Sequence, residues 1–184
     1  ADTIEDDPVL VPQRKLAMAM RFVQVVAGNE PSEPFARELA PLLGETIPAA
    51  ERDLIEHIPG VLRLTHSYSP REQEALARCV RIMAEGMGEF QLAASPDGLG
   101  SMADLDRYCY HVAGVVGEML TTLFCARSAA LAEREDDLRR HAVSFGQGLQ
   151  MTNILKDVWD DLDRGACWLP REHFLHHGFS LADL

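Results

Sequence analysis

Lysine is almost absent from this chain, occurring only as Lys15 and Lys156. With 17 basic residues against 29 acidic ones the formal net charge is −12. No basic patch that could neutralise a phosphate backbone can be drawn, which excludes nucleic acid as a partner. Long apolar runs are also missing, so no segment reads as a membrane span, and the acidic N-terminus carries no signal peptide. No stretch alternates apolar and polar with a period of two, which removes the signal for a sheet, and no internal repeat or low-complexity segment is visible. Cysteine is sparse. Cys79, Cys109, Cys125 and Cys167 include no Cys-x-x-Cys pair and read as buried free thiols of a reducing compartment rather than a disulfide frame.

What remains is an ordinary globular composition, 47% hydrophobic and 25% charged over 184 residues, the size of a single domain spanning 1–184. Its punctuation is helical. Residues 12–27 put Leu16, Met20, Val23 and Ala27 on one face and stop at Gly28-Asn29. Residues 34–43 and 48–57 read as shorter helices, closed by Gly44 and by Pro59-Gly60. Ser69-Pro-Arg-Glu72 is a capping box, opening a helix to about residue 94 with Cys79, Met83, Gly86, Met87 and Phe90 in one stripe. Such a methionine-rich stripe is plain core or the wall of an irregular apolar pocket.

Ser101-Met-Ala-Asp104 caps a further helix, residues 105–128. Tyr108, Val112, Val115 and Met119 share one face of it, while Ala113, Gly114 and Gly117 share another. Each mid-helix glycine costs about 1 kcal/mol against alanine, so the pair demands close helix packing or close approach of a ligand. Tyr108 is either a core tyrosine with one hydrogen bond or a catalytic phenol. An acidic start at residues 133–137 opens a long helix expected to continue to Arg164-Gly165. Residues 166–170 read as extended and 171–175 as a short helix, where His173-x-x-His176-His177 lacks the fourth donor of a zinc site.

The long helix carries the most informative stretch, Gln150-Met-Thr-Asn153-Ile-Leu-Lys156-Asp157-Val-Trp-Asp160-Asp161-Leu-Asp-Arg164. At about 100° per residue, Gln150, Asn153, Asp157, Asp161 and Arg164 fall in an arc of roughly 80°, opposite Met151, Leu155, Val158 and Leu162. Asn153, Asp157 and Asp161 stack about 6 Å apart per step. Two carboxylates so placed repel, and a positive group is expected between them. The stripe is a solvated helix face or a site for a hard cation. Short Asp and Asn side chains are poor helix formers that suit Mg²⁺, which keeps several waters and binds substrate phosphate. At the N-terminus Asp2 and Asp6 repeat the four-residue spacing in an acidic cluster stopped by Pro8. This reads as the last turns of a helix whose beginning is missing. With Ser180-Leu-Ala-Asp183 opening another cap at the other end, the chain reads as cut at both ends.

Three motifs stand in order: Asp2-Thr-Ile-Glu5-Asp6-Asp7; Asp106-Arg-Tyr108-Cys-Tyr-His-Val-Ala-Gly114-Val-Val-Gly117; and the stretch from Gln150 to Asp161, followed by Arg164-Gly and Trp168-Leu-Pro170. Together they resemble the squalene/phytoene synthase family of head-to-head prenyl synthases, and the opening motif is most similar to a bacterial squalene synthase. The resemblance implies an all-α, isoprenoid-synthase-type helical bundle in which two aspartate-rich helices face a central cavity. It assigns Asp2, Glu5 and Asp6 to one metal-binding face and Asn153, Asp157 and Asp161 to a second. Gln150, Lys156 and Arg164 become candidate diphosphate contacts, and Tyr108 the proton acceptor or relay of the first half-reaction. Met83, Met87, Val112 and Val115 become candidate walls for the prenyl chain.

The implied reaction joins two farnesyl diphosphates with Mg²⁺ (or Mn²⁺) through presqualene diphosphate, then reduces the product with NADPH to squalene. No residue for NADPH is identified. An amphiphilic substrate and a lipid-soluble product imply a cytoplasmic enzyme with peripheral membrane contact. Two alternatives stay open. One is a phytoene, dehydrosqualene or presqualene diphosphate synthase that needs no NADPH. The other is a non-catalytic relative serving in assembly, whose signature would be loss of the aspartates.

Overall fold

The computed structural model describes residues 3–4, 7, 9–44 and 47–184 of the chain. The first acidic face, Asp2, Glu5 and Asp6, lies outside the described residues. Among the described residues every regular element is helical, and extended pairing is confined to one isolated parallel bridge between Leu99 and Pro170. The all-α expectation holds. Contacts divide the chain into two compact units, 1–88 and 89–184, each with its own apolar cluster.

The first unit contains α1 (Pro12–Val26), α2 (Ser32–Leu39) continued by the 3-10 turn Ala40–Leu42, α3 (Ala49–Glu56), α4 (Ile58–Thr65) and most of α5 (Pro70–Leu92). Val25, Phe35 and Leu39 centre its core, and Phe22 stacks on Phe35 at 5.8 Å. The Ser69–Glu72 capping box forms as expected: the Ser69 N–H donates to Glu72 Oε2 at 3.0 Å, and the Glu72 N–H to Ser69 Oγ at 3.4 Å. Pro59 and Gly60 overturn an expectation. They do not close a helix but sit in the first turn of α4, where a missing proline N–H has no partner to lose. The break falls at His57, with φ −93° and ψ 4°.

Asp7 is a buried carboxylate, 1% exposed. Its Oδ1 accepts the N–H groups of Val9 and Leu10 at 2.8 and 2.9 Å, and its Oδ2 accepts that of Gly44 at 2.7 Å. Burial alone would raise its pKa. The three N–H donors, with Lys15 nearby, outweigh that and hold the group below the usual carboxylate range.

The second unit begins within α5. It continues through α6 (Met102–Cys109), a π-helical turn (Tyr110–Gly114), α7 (Val115–Arg127), the short α8 (Ala129–Ala132), α9 (Glu135–Lys156), α10 (Val158–Asp163), α11 (Arg171–His176) and the 3-10 turn Leu181–Asp183. Ser101 and Asp104 form the second capping box. The run Met102–Arg127 has the length and composition of a membrane span, yet one side of it is taken up by α9. A Cβ on Gly117 would lie 2.4 Å from the Ala142 carbonyl oxygen, and one on Gly146 would lie 2.5 Å from that of Ala113. The two glycines of the tyrosine helix therefore serve close helix packing, and Gly146 of α9 is their counterpart.

All four cysteines are free and buried. Burial, and secondarily the charge of Asp106, pushes the Cys109 thiol up to about 11.

Two predictions arise from these contacts. Gly146→Ala forces backbone apart and is expected to lower the unfolding free energy by about 2 kcal/mol. Gly148→Ala, whose Cβ meets nothing within 4 Å, should raise it by up to about 1 kcal/mol. Urea denaturation reads both, and equal effects would refute the crossing. Because the folded pKa of Cys109 is raised, its stabilisation is complete below the unfolded thiol value near 8.5 and is lost as pH rises through about 11. The urea midpoint should fall across that window, and Cys109→Ala should remove this part of the decline.

Candidate active site

The polar stripe expected on one unbroken helix is carried by two. Helix α9 ends at Lys156, Asp157 takes φ −102° and ψ 11°, and α10 restarts at Val158. Short polar side chains that compete for backbone hydrogen bonds favour such a break. The row nonetheless keeps its register. The Asp157 N–H donates to Asn153 O at 2.9 Å and the Asp161 N–H to Asp157 O at 2.9 Å, so the three residues remain one turn apart through the bend.

Leu155 and Trp159 are 62% and 59% exposed, whereas Asn153, Asp157 and Asp161 are all half-buried. This corrects the expected amphipathic pattern: Met151 and Leu155 face outward, while Val158 and Leu162 pack on the core with Ile154. A decorative acidic stripe would take the most exposed positions, and this one does not. Lys156 lies beside the row, its Nζ 3.3 Å from Asp157 Oδ2. With 67% of the lysine side chain in solvent, the pair contributes at most about 1 kcal/mol. Gln150 is half-buried beside the row and Arg164 is exposed at its far end.

Tyr108 is 6% exposed in the core of the second unit. Its ring stacks face to face on Trp168 with centroids 4.4 Å apart and planes at 6°, and Phe90 meets it edge-on at 5.2 Å. Trp168 and Phe90 carried no site role in the sequence. Trp168 stood within a motif, but its partner is far away in the chain, so only the fold reveals the stack. Of the candidate wall residues, Val115 is fully buried and Val112 half-buried in the second unit. Met87 is buried and Met83 half-buried in the first, with Met83 Sδ 3.9 Å from Cys79 Sγ.

The donor set fits a hard divalent cation. Two carboxylates and an amide on successive turns supply the few protein oxygens that Mg²⁺ takes alongside water and phosphate. Among the described residues no group of three or more His, Cys, Asp or Glu is close enough to hold an ion. His177 meets the rings of His173 and His176 edge-on at 4.9 and 5.3 Å, and His173 meets Phe174 at 6.0 Å.

The all-α fold matches the helical isoprenoid-synthase fold of solved squalene synthases. The chain belongs to the squalene/phytoene synthase family, whose model matches residues 1–184. It is 31% identical over 186 residues to a squalene synthase of Eremothecium gossypii, covering 98% of this chain and 40% of that protein. A phytoene synthase of Thermus thermophilus is 40% identical over 102 residues, covering 55% of this chain and 32% of that protein. A TcSQS chain solved with the ligand BPH1237 superposes with a TM-score of 0.67 at 26% identity, covering 93% of this chain and 46% of that one. The chain thus spans about two fifths of the length of the curated relatives it matches.

In the complete protein, Asp157→Asn is expected to weaken binding of Mg²⁺-pyrophosphate by at least about 10-fold. Asp163→Asn, at an exposed position off the row, should leave binding within about twofold. Calorimetric titration distinguishes the two, and equal affinities would sink the assignment of the row to metal.

Proposed function

We propose that the protein is a squalene synthase-type farnesyltransferase. In this reading, one farnesyl diphosphate loses pyrophosphate to leave an allylic cation, and the double bond of a second attacks it. Loss of a proton then closes the cyclopropane of presqualene diphosphate. A second ionisation, rearrangement and hydride transfer from NADPH give squalene. The observation that carries the reading is the Asn153–Asp157–Asp161 row, held in register and half-buried where a solvated stripe would be exposed.

When bound, Mg²⁺ supplies Lewis-acid stabilisation of the departing pyrophosphate. Asn153, Asp157 and Asp161 are assigned to hold it, with Asp2, Glu5 and Asp6 as the second face. Gln150, Lys156 and Arg164 are assigned to diphosphate oxygens, and the Tyr108 phenol takes or relays the proton lost on ring closure. Val112, Val115, Met83 and Met87 are assigned to keep water from the cation. Such an enzyme works in the cytoplasm against a membrane surface, where its product partitions.

NADPH dependence is favoured by the squalene synthases that match 96–99% of the chain. The higher local identity to a phytoene synthase supports a second reading, release of a hydrocarbon without reduction. The complete protein, incubated with farnesyl diphosphate and Mg²⁺, should yield squalene only when NADPH is added. A hydrocarbon formed without NADPH selects the second reading, and arrest at presqualene diphosphate despite NADPH rejects the first.

A further inference from the structure

The segment 165–170 leaves the acidic row and returns to the tyrosine. It has no helical structure of its own, and backbone hydrogen bonds hold it and the residue that follows. The Ala166 N–H donates to Asp161 O at 2.9 Å, the Cys167 N–H to Ser95 O at 2.9 Å, the Leu99 N–H to Leu169 O at 2.9 Å, and the Arg171 N–H to Leu99 O at 2.8 Å. Gly98, at φ +84°, gives the close approach room, since a Cβ there would lie 2.5 Å from Leu169 O. Cys167 and Leu169 point into the core, at 2% and 9% exposed. Trp168, between them, lays its indole on the Tyr108 ring at 4.4 Å and 6°. The opposing constraint is Phe90, whose ring meets Tyr108 at 75°. Tyr108 is thereby fixed in tilt by a face contact and in rotation by an edge contact.

We propose that Trp168 is the positioning residue for the Tyr108 phenol, with the strap 165–170 tying that position to the turn that carries Asp161. The proposal rests on the reading of Tyr108 as the proton acceptor of the first half-reaction. A phenol must stay within hydrogen-bond reach of the proton it takes, and misplacement by about 1 Å costs on the order of 100-fold in rate. The indole stack supplies the alignment. The stack acts on the phenol, so its loss is expected in turnover and not in affinity.

The test uses the complete enzyme, with presqualene diphosphate formation as the readout. Trp168→Leu stays apolar but is smaller and removes the ring face. It is expected to lower kcat by about 10- to 100-fold with KM for farnesyl diphosphate within about twofold, and Trp168→Phe should restore most of the loss. In a Tyr108→Phe background, Trp168→Leu should cost nothing further, because there is no phenol left to place. Unchanged kcat, a loss expressed in KM, or a full additional loss in the Tyr108→Phe background overturns the proposal. If Tyr108→Phe itself turns over at the wild-type rate, the assignment of Tyr108 is wrong and the proposal falls with it. Should Trp168→Leu fail to fold, Trp168→Met, which also lacks a ring face, is judged by the same kcat and KM split.

Discussion

The second unit depends on one crossing where backbone meets backbone. Packed helices ordinarily stand 8–10 Å apart, held there by side chains. At Gly117 against Ala142, and at Gly146 against Ala113, no side chain fits between. Gly146 faces Ala113 and Gly114, both inside the π-helical turn, so the crossing and the irregular turn are at one place. A single widened turn of this kind re-aims everything on either side of it. Here it lies directly after Tyr108, and α9, clasped against it, leads to Asn153 and Asp157. The candidate phenol and the candidate row are thus joined through packed helices as well as through the segment 165–170. Few routes for relaxation exist, since Val115, beside the contact, is fully buried.

Carboxylates in this molecule divide by what their oxygens are used for. A buried charge survives only when its lone pairs are satisfied. Asp7 meets that condition with three backbone N–H donors and is committed to the fold, joining the end of the first acidic motif to Gly44. Its motif therefore contains a structural aspartate beside those assigned to metal. Asp157 is the opposite case. It keeps 41% of its side chain in solvent and meets an exposed neighbour, Lys156, at 3.3 Å. A carboxylate of that kind adds little to stability and retains oxygens for a ligand, the condition a metal half-site requires.

Features legible in the sequence were those encoded locally. Both capping boxes, Ser69–Glu72 and Ser101–Asp104, formed with the hydrogen bonds their spacing requires. The demand made by Gly114 and Gly117 for close approach was legible too, but its answer was not, because Gly146 belongs to another helix. Pro59-Gly60 misled because the same pair serves a helix start as readily as a stop, and only the preceding His57 geometry tells which. The bend at Asp157 escaped periodicity because the i to i−4 bonds on either side of it persist, leaving the pattern of faces nearly intact. Exposure of Leu155 and burial around Asp157 could not be read from polarity, since they depend on which side of α9 meets the second core.

The same physics explains why Trp168 stands at a fixed distance from the acidic row. Gly165 turns the chain at φ +81°, and Cys167, Trp168 and Leu169 then all pack on the core of the second unit. Ala166 is bonded to the Asp161 carbonyl and Leu169 to the Leu99 N–H, so both ends of the strap are pinned. One residue more between them would lengthen it by about 3.3 Å and carry the indole off the Tyr108 ring. One residue fewer would break the bond at Leu99 or pull α10 out of line with α9. The short interval from Asp161 to Trp168 is therefore a length constraint, set by the distance from the end of the metal row to the face of the tyrosine ring.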